Sequence, residues 1–195
     1  MTLNNQRRVV LTGLGSITNL GHDVTSTWSG LLEGRSGIRQ ITAFEQDDRW
    51  ITRIAGEIKD WDPAARLDHS EIKKMDRFSQ LGVGAAAEAM EDSGLDWEQG
   101  DPYRRGVVIG SGVGGIQTME FYASVLSEKG PRRISPFTVP KLMLNAAAGN
   151  TSIRYNLRGV NSSPATACAT GGHALAEAYM FIATNQAEFI LAGGA

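Results

Sequence analysis

The chain has 195 residues, 42% hydrophobic and 21% charged, with 23 glycines. That balance fits a globular, glycine-punctuated α/β protein and excludes a disordered one. Lys plus Arg number 19 against 21 Asp plus Glu, a formal net charge of -2, so nothing in the whole-chain charge argues for nucleic acid. "RRVVLTGLGS" reads as a buried strand ending in a glycine turn. In "HDVTSTWSGLLEG", Asp23 or Thr25 caps a helix that ends near Gly34, with Trp28, Leu31 and Leu32 on its apolar side. Residues 38–69 read as irregular, with short β-like pieces such as "RIAGEI". "SEIKKMDRFSQLGVGAAAEAMEDSG" predicts one long helix. Its Met75, Phe78, Gly82, Ala85 and Ala89 form a stripe of largely small residues suited to close packing, and Gly94 stops it.

"RRGVVIGSGVGG" is a second buried strand with another glycine turn, and "IQTMEFYASVLSEKG" is helical. "SPFTVPKLMLNAAAGNTSIRYNLRG" opens on two prolines, the second suited to a first helical turn, and continues as helix. "NSSPATA" is a short third strand, "GGHALAEAYMFIATNQA" an apolar helix and "EFILAGGA" a fourth strand. Alternating strands and helices imply a mostly parallel sheet with helices on its faces. An α/β domain that stops on a glycine pair at a strand end is expected to continue. Residues 1–195 are therefore read as part of a longer chain.

No apolar run is long enough to cross a membrane, and the N-terminus lacks the apolar core of a signal peptide. The single cysteine, Cys168, can form no internal disulfide, which favours a reducing, cytoplasmic compartment. Gly110, Gly112 and Gly115 match G-x-G-x-x-G after a strand. The second strand ending in an acidic residue that dinucleotide binding requires is missing, because "SEKGPRRISPF" follows instead. The preferred reading is a turn where backbones pack closely. His22, His69 and His173 are scattered, and with one cysteine they offer no metal spacing. If Cys168 began the following helix, His173 would lie about 140° away around its axis, which argues against its serving as that cysteine's base.

Cys168 has two readings. Free cysteine is often a small buried apolar residue. Against that, it falls in a turn between a strand and a helix, the placement of a nucleophile elbow. Backbone N–H groups at a helix start stabilise a thiolate, and Ala167, Ala169, Gly171 and Gly172 leave room beside it.

"TACATGGH" resembles the active-cysteine motif of the β-ketoacyl-acyl-carrier-protein synthases. "RRVVLTGLGSIT", "TWSGLLEGRSGI", "KKMDRFSQLGVGAAAEAMEDSGL", "GVVIGSGVGG", "GPRRISPFTVPKLMLNAAAGNTSIRYNLRG" and "AEFILAGGA" follow the same family's order. The likeness is closest to the type II elongation enzymes; polyketide ketosynthases are close relatives. The resemblance implies a thiolase-like fold of which this chain is the N-terminal half. It implies that Cys168 accepts an acyl group from acyl carrier protein for decarboxylative condensation with malonyl carrier protein, with no metal or redox cofactor. It also implies two histidines, a lysine and a gating loop in a second half, none of which is in these residues. A homodimer is expected, with "KLMLNAAAGN" near the partner's acyl pocket. Lys73 and Lys74 match basic positions expected to dock the acidic carrier protein. The alternatives are a polyketide ketosynthase, and a non-catalytic half-domain that docks a carrier protein or pairs with another subunit. A degradative thiolase is the nearest enzymatic rival, but its pattern around the cysteine differs.

Overall fold

The computed structural model describes residues 7–195. Its helices are α1 (Val24–Leu32), α2 (His69–Ile72), α3 (Arg77–Asp92), α4 (Ile116–Lys129), α5 (Thr138–Leu142), α6 (Ala146–Arg154) and α7 (Thr170–Ala183). Its strands are β1 (Arg39–Gln40), β2 (Ile54–Ala55), β3 (Arg105–Gly110), β4 (Asn161–Ser162) and β5 (Phe189–Gly194). β4, β3 and β5 form a parallel sheet in that order, with Val107 opposite Asn161 and Arg105 opposite Phe189. β1 and β2 pair antiparallel outside it.

All of β3 is buried, as its run of valine and isoleucine requires for a central parallel strand. Side chains alternate between its faces. Val107 and Ile109 pack with Ala86 of α3 and with Ala147, Ala148 and Leu157. On the other face, Gly110 lies against Thr170 of α7. Full burial of Val107 and of Leu157 stabilises the core by about 2 kcal/mol each.

Three expected elements differ in the structure. Residues 7–17 pair with no strand. They are held by α3 instead: Leu14 N–H donates to Asp92 Oδ2 at 2.8 Å, and Ser16 N–H to Glu88 Oε2 at 2.9 Å. Gly13 and Gly15 press against the backbone of α3 at Ala89 and Ala85, where any Cβ would overlap a carbonyl oxygen. The small-residue stripe is thus a close-packing seam, but Ala85 and Ala89 face this segment, whereas Gly82 and Ala86 turn toward the sheet side.

The single long helix predicted over 70–94 is two. The chain leaves α2 after Ile72 and restarts at Asp76, which is the N-cap of α3 and accepts from Phe78 N–H at 3.3 Å. Gly94, with φ of 60°, follows the end of α3 as expected. The helix predicted after Pro140 likewise breaks at residues 143–145, giving α5 and α6.

α1 forms as expected, and of the two expected caps, Asp23 and Thr25, Asp23 is the one used. Backbone donation from Ser26, at 2.6 Å, holds the Asp23 carboxyl below its ordinary pKa. Its expected apolar side does not pack: Trp28, Leu31 and Leu32 are all exposed, because α1 seats on the described chain through Gly30.

The β1–β2 pair is tied by Glu57. Its carboxylate takes N–H bonds from Thr42 and Ala43 at 3.1 and 2.8 Å, and Lys59 Nζ lies 3.1 Å away. Desolvation pushes the Glu57 carboxyl up, but the Lys59, Ala43 and Thr42 hydrogen bonds outweigh it and hold it at about 2.

Candidate functional site

The strand, turn and helix around Cys168 arise from specific local choices. β4 pairs with β3 only over Asn161–Ser162, shorter than the strand predicted over "NSSPATA". Pro164 has no N–H to donate to a ladder. Ser163 takes over with its hydroxyl, which donates to Ile109 O at 2.8 Å and contacts Leu144 O at 3.2 Å. The chain then enters a 3-10 turn at Ala167–Ala169, and α7 begins at Thr170.

Ala167 has φ of 50°. A non-glycine residue in the left-handed region carries strain on the order of 1–3 kcal/mol. That strain sits immediately before Cys168, and neighbouring bonds hold the turn. Ala169 N–H donates to Thr166 O at 3.1 Å, and Thr166 N–H donates to the Thr170 hydroxyl at 2.9 Å. Thr170 is buried and Thr166 is exposed, so this tie is partly buried.

Cys168 is exposed. Among the described residues nothing covers it, where the alternative reading expects a small buried apolar residue. It sits just ahead of α7 and not on it, so the helical-wheel angle to His173 is not the relevant geometry. His173 instead lies 3.5 Å from Glu177, on its own helix. Glu177 also accepts from Ser162 Oγ at 2.8 Å, tying α7 to β4.

The glycine turn after β3 faces this cysteine turn. A Cβ on Gly112 would meet Ala167 Cα at 3.4 Å, and one on Gly110 would overlap Pro164 O and the Thr170 methyl. A Cβ on Gly115 would lie 2.7 Å from Leu142 Cα. The G-x-G-x-x-G spacing thus serves close backbone packing, as preferred from sequence. Ala195 N–H donates to Gly110 O at 3.0 Å, bringing the end of β5 to the same place. Three chain segments converge at the C-terminal end of the parallel sheet, where ligands and reacting groups gather in open α/β folds.

Lys73 and Lys74 are exposed and lie in the link between α2 and α3, not on a helix. Two residues later, buried Asp76 connects that link to the site. Its Oδ2 accepts from Thr118 N–H at 2.9 Å and from the Thr118 hydroxyl at 2.6 Å, at the start of α4. Asp76 is the supporting residue that sequence reasoning missed; the aspartate ahead of "RFSQL" was the available signal, as an N-cap. Among the described residues no group of three His, Cys, Asp or Glu side chains is placed to hold a metal ion.

Fold and turn together define an α/β domain that presents an exposed cysteine at a strand-to-helix junction of a parallel sheet. The chain belongs to the family described as beta-ketoacyl synthase, N-terminal domain, which matches residues 6–195. It is 45% identical over 191 residues to 3-oxoacyl-(acyl-carrier-protein) synthase 2 of Vibrio harveyi, covering 98% of this chain and 46% of that protein. Two solved structures are similar. The ishigamide ketosynthase/chain length factor has a TM-score of 0.86 at 27% identity, over 97% of this chain and 47% of the other. A type II polyketide synthase acyl-carrier protein in complex with its ketosynthase bound to the hexaketide contains a chain with a TM-score of 0.79 at 26% identity, over 97% of this chain and 50% of the other. The fold is the thiolase-like one expected. The chain spans about half the length of the curated relatives it matches.

Proposed function

We propose that this chain is the N-terminal half of a β-ketoacyl-acyl-carrier-protein synthase that elongates fatty acids in the cytoplasm, with Cys168 as its acyl acceptor. The observation that carries the reading is the exposed cysteine held in a strained turn ahead of α7. The Cys168 thiolate attacks the carbonyl of an acyl carrier thioester; the carrier thiolate leaves and takes up a proton. Backbone N–H groups at such a turn are suited to the oxyanion of the tetrahedral intermediate. Malonyl carrier protein then loses carbon dioxide, its carbanion attacks the Cys168 thioester, and the thiolate is released. Groups that stabilise the enolate are assigned to a second half. Without them condensation falls on the order of a thousandfold or more.

The carrier-protein partnership draws support from the similar ketosynthase solved with its acyl-carrier protein, and Lys73 and Lys74 are assigned to its docking surface. A homodimer is proposed on the family resemblance. The 45% identity to a 3-oxoacyl synthase favours lipid elongation; the polyketide-type structural neighbour keeps a polyketide ketosynthase as the second reading. Product length with purified carrier thioesters separates the two.

The test is acylation by an acyl carrier thioester followed by peptide mass spectrometry. The acyl group is expected on Cys168 and is lost in Cys168→Ala; label on another residue rejects the assignment. Replacing Lys73 and Lys74 with Glu is expected to raise the KM for carrier-bound substrate alone, since rim charges act mainly on association. Equal loss with a small thioester refutes docking.

A further inference from the structure

Ala167 stands at φ of 50° one residue before Cys168, and three hydrogen bonds hold the main chain around it. Ala169 N–H donates to Thr166 O, and Thr170 N–H to Ala167 O, so the peptides on both sides of Ala167 are fixed. Any residue but proline at positions 169 and 170 supplies those two bonds. The third needs a particular side chain: Thr166 N–H donates to Oγ1 of Thr170 at 2.9 Å. This bond spans the cysteine, from two residues before it to two residues after.

Thr170 is itself seated on the sheet. It is 4% exposed, and its methyl group packs on the last residue of β3, where a Cβ on Gly110 would come within 2.4 Å of it. The next residue, Gly171, lies against Gly194 at the end of β5. Threonine carries its methyl and hydroxyl on one carbon, and its first side-chain torsion is stiff, so fixing one group fixes the other. With the methyl on Gly110, the hydroxyl meets Thr166.

We infer that Thr170 is a positioning residue for Cys168: its hydroxyl, through Thr166 N–H, keeps Ala167 in the left-handed region and so aims the thiol. The inference rests on Cys168 being the acyl acceptor proposed above. Backbone strain of this kind persists only where surrounding contacts over-determine it. Valine has nearly the shape of threonine and keeps the methyl contact, but it accepts no hydrogen bond. Because Thr166 is exposed, water replaces the lost partner of its N–H, and stability changes little. What is lost is direction, and a misplacement of about 1 Å costs on the order of 100-fold in rate. The signature is a slow reaction in a well-folded protein.

The test is single-turnover acylation of the full-length synthase by an acyl carrier thioester, over a range of carrier concentrations. Thr170→Val is expected to lower the limiting rate constant about tenfold or more, with the half-saturating concentration within about twofold and the full amplitude retained. Thr170→Ser, which keeps the hydroxyl, is expected to recover the rate to within about threefold. In an Ala167→Gly background the loss from Thr170→Val is expected to shrink about threefold or more, because glycine takes a positive φ without strain. Amide exchange of Thr166 in the unsubstituted protein needs no variant to fold: the tie slows it about tenfold or more relative to an unstructured amide. An unchanged rate constant in Thr170→Val, a loss of amplitude alone, equal slowing by Ser and Val, undiminished slowing in the Ala167→Gly background, or free exchange at Thr166 each overturns the inference. Acyl label on a residue other than Cys168 in the unsubstituted protein rejects the proposed function and this inference with it. Label on Cys168 together with any of the other adverse outcomes rejects the role of Thr170 alone.

Discussion

The two ends of β3 are built on opposite plans. At the C-terminal end, Gly110 packs against Pro164 with no space for a Cβ, Gly194 lies tightly against Gly171, and Gly112 approaches Ala167. At the N-terminal end, Arg105, Trp97, Tyr155 and Phe189 meet through large side chains and leave a cavity. The first plan fixes the cysteine turn by steric exclusion. The second leaves slack. Close backbone packing concentrates at the turn that carries Cys168, and large side chains meet at the other end.

Substitutions test that contrast most directly. Gly110→Ala forces a Cβ into Pro164 O and the Thr170 methyl, and is expected to cost about 3 kcal/mol in denaturant unfolding. A loss of a few tenths of a kcal/mol would show that the C-terminal end has slack after all. Asp76→Ala removes an N-cap and two buried bonds to Thr118. A loss of about 3 kcal/mol is expected, measured the same way. At the other end, Arg105→Met replaces a buried guanidinium, bonded to Trp97 O, by an apolar chain of similar length. It is expected to stay within about 1 kcal/mol of the unsubstituted protein, or to be more stable. A cost equal to that of Gly110→Ala would break the comparison.

The smallest effect lies far from either end. Glu57 has a folded pKa of about 2 against an ordinary 4.5. A depressed carboxyl stabilises the fold above its unfolded pKa, and that contribution is lost as pH falls toward the folded value. The Thr42 and Ala43 amide resonances are expected to titrate with a midpoint near 2, and to lose that inflection in Glu57→Gln. A midpoint near 4.5 would mean that the carboxylate is free of these bonds in solution.

Much of this arrangement was legible in the residues. The run "RRGVVIG" read as a buried strand, Asp23 or Thr25 announced α1, and Gly94 marked the end of α3. The cysteine turn followed from the change of period around "SSPATACATGG", and the family resemblance made it specific. What escaped were features that depend on partners distant in sequence. "RRVVLTGLGS" has the composition of a strand, but composition does not reveal whether a neighbouring strand is there to pair with it. Residues 70–94 keep a helical pattern through the break, and the Asp76 cap that marks it also accepts from Thr118, far off in sequence. Arg105 read as one more residue of a buried strand, since its bond to Trp97 O exists only once Trp97 and Gly100 close around it.

Asp76 also has a consequence for the order in which the molecule assembles. Its carboxylate joins the start of α3 to the start of α4, which are 42 positions apart. Closing a loop of that length costs about 3 kcal/mol in chain entropy, whereas hydrogen bonds to a charged group return about 1.5–3 kcal/mol each in the finished fold. Made early, in water and without burial, they do not repay the closure. The contact therefore forms after α3 and β3 have met through Ala86 and Val107, and it belongs to the late side of the folding barrier. Its loss in Asp76→Ala falls mainly on the unfolding rate and leaves the folding rate nearly unchanged, so this one carboxylate sets how long the native state lasts more than how fast it is reached.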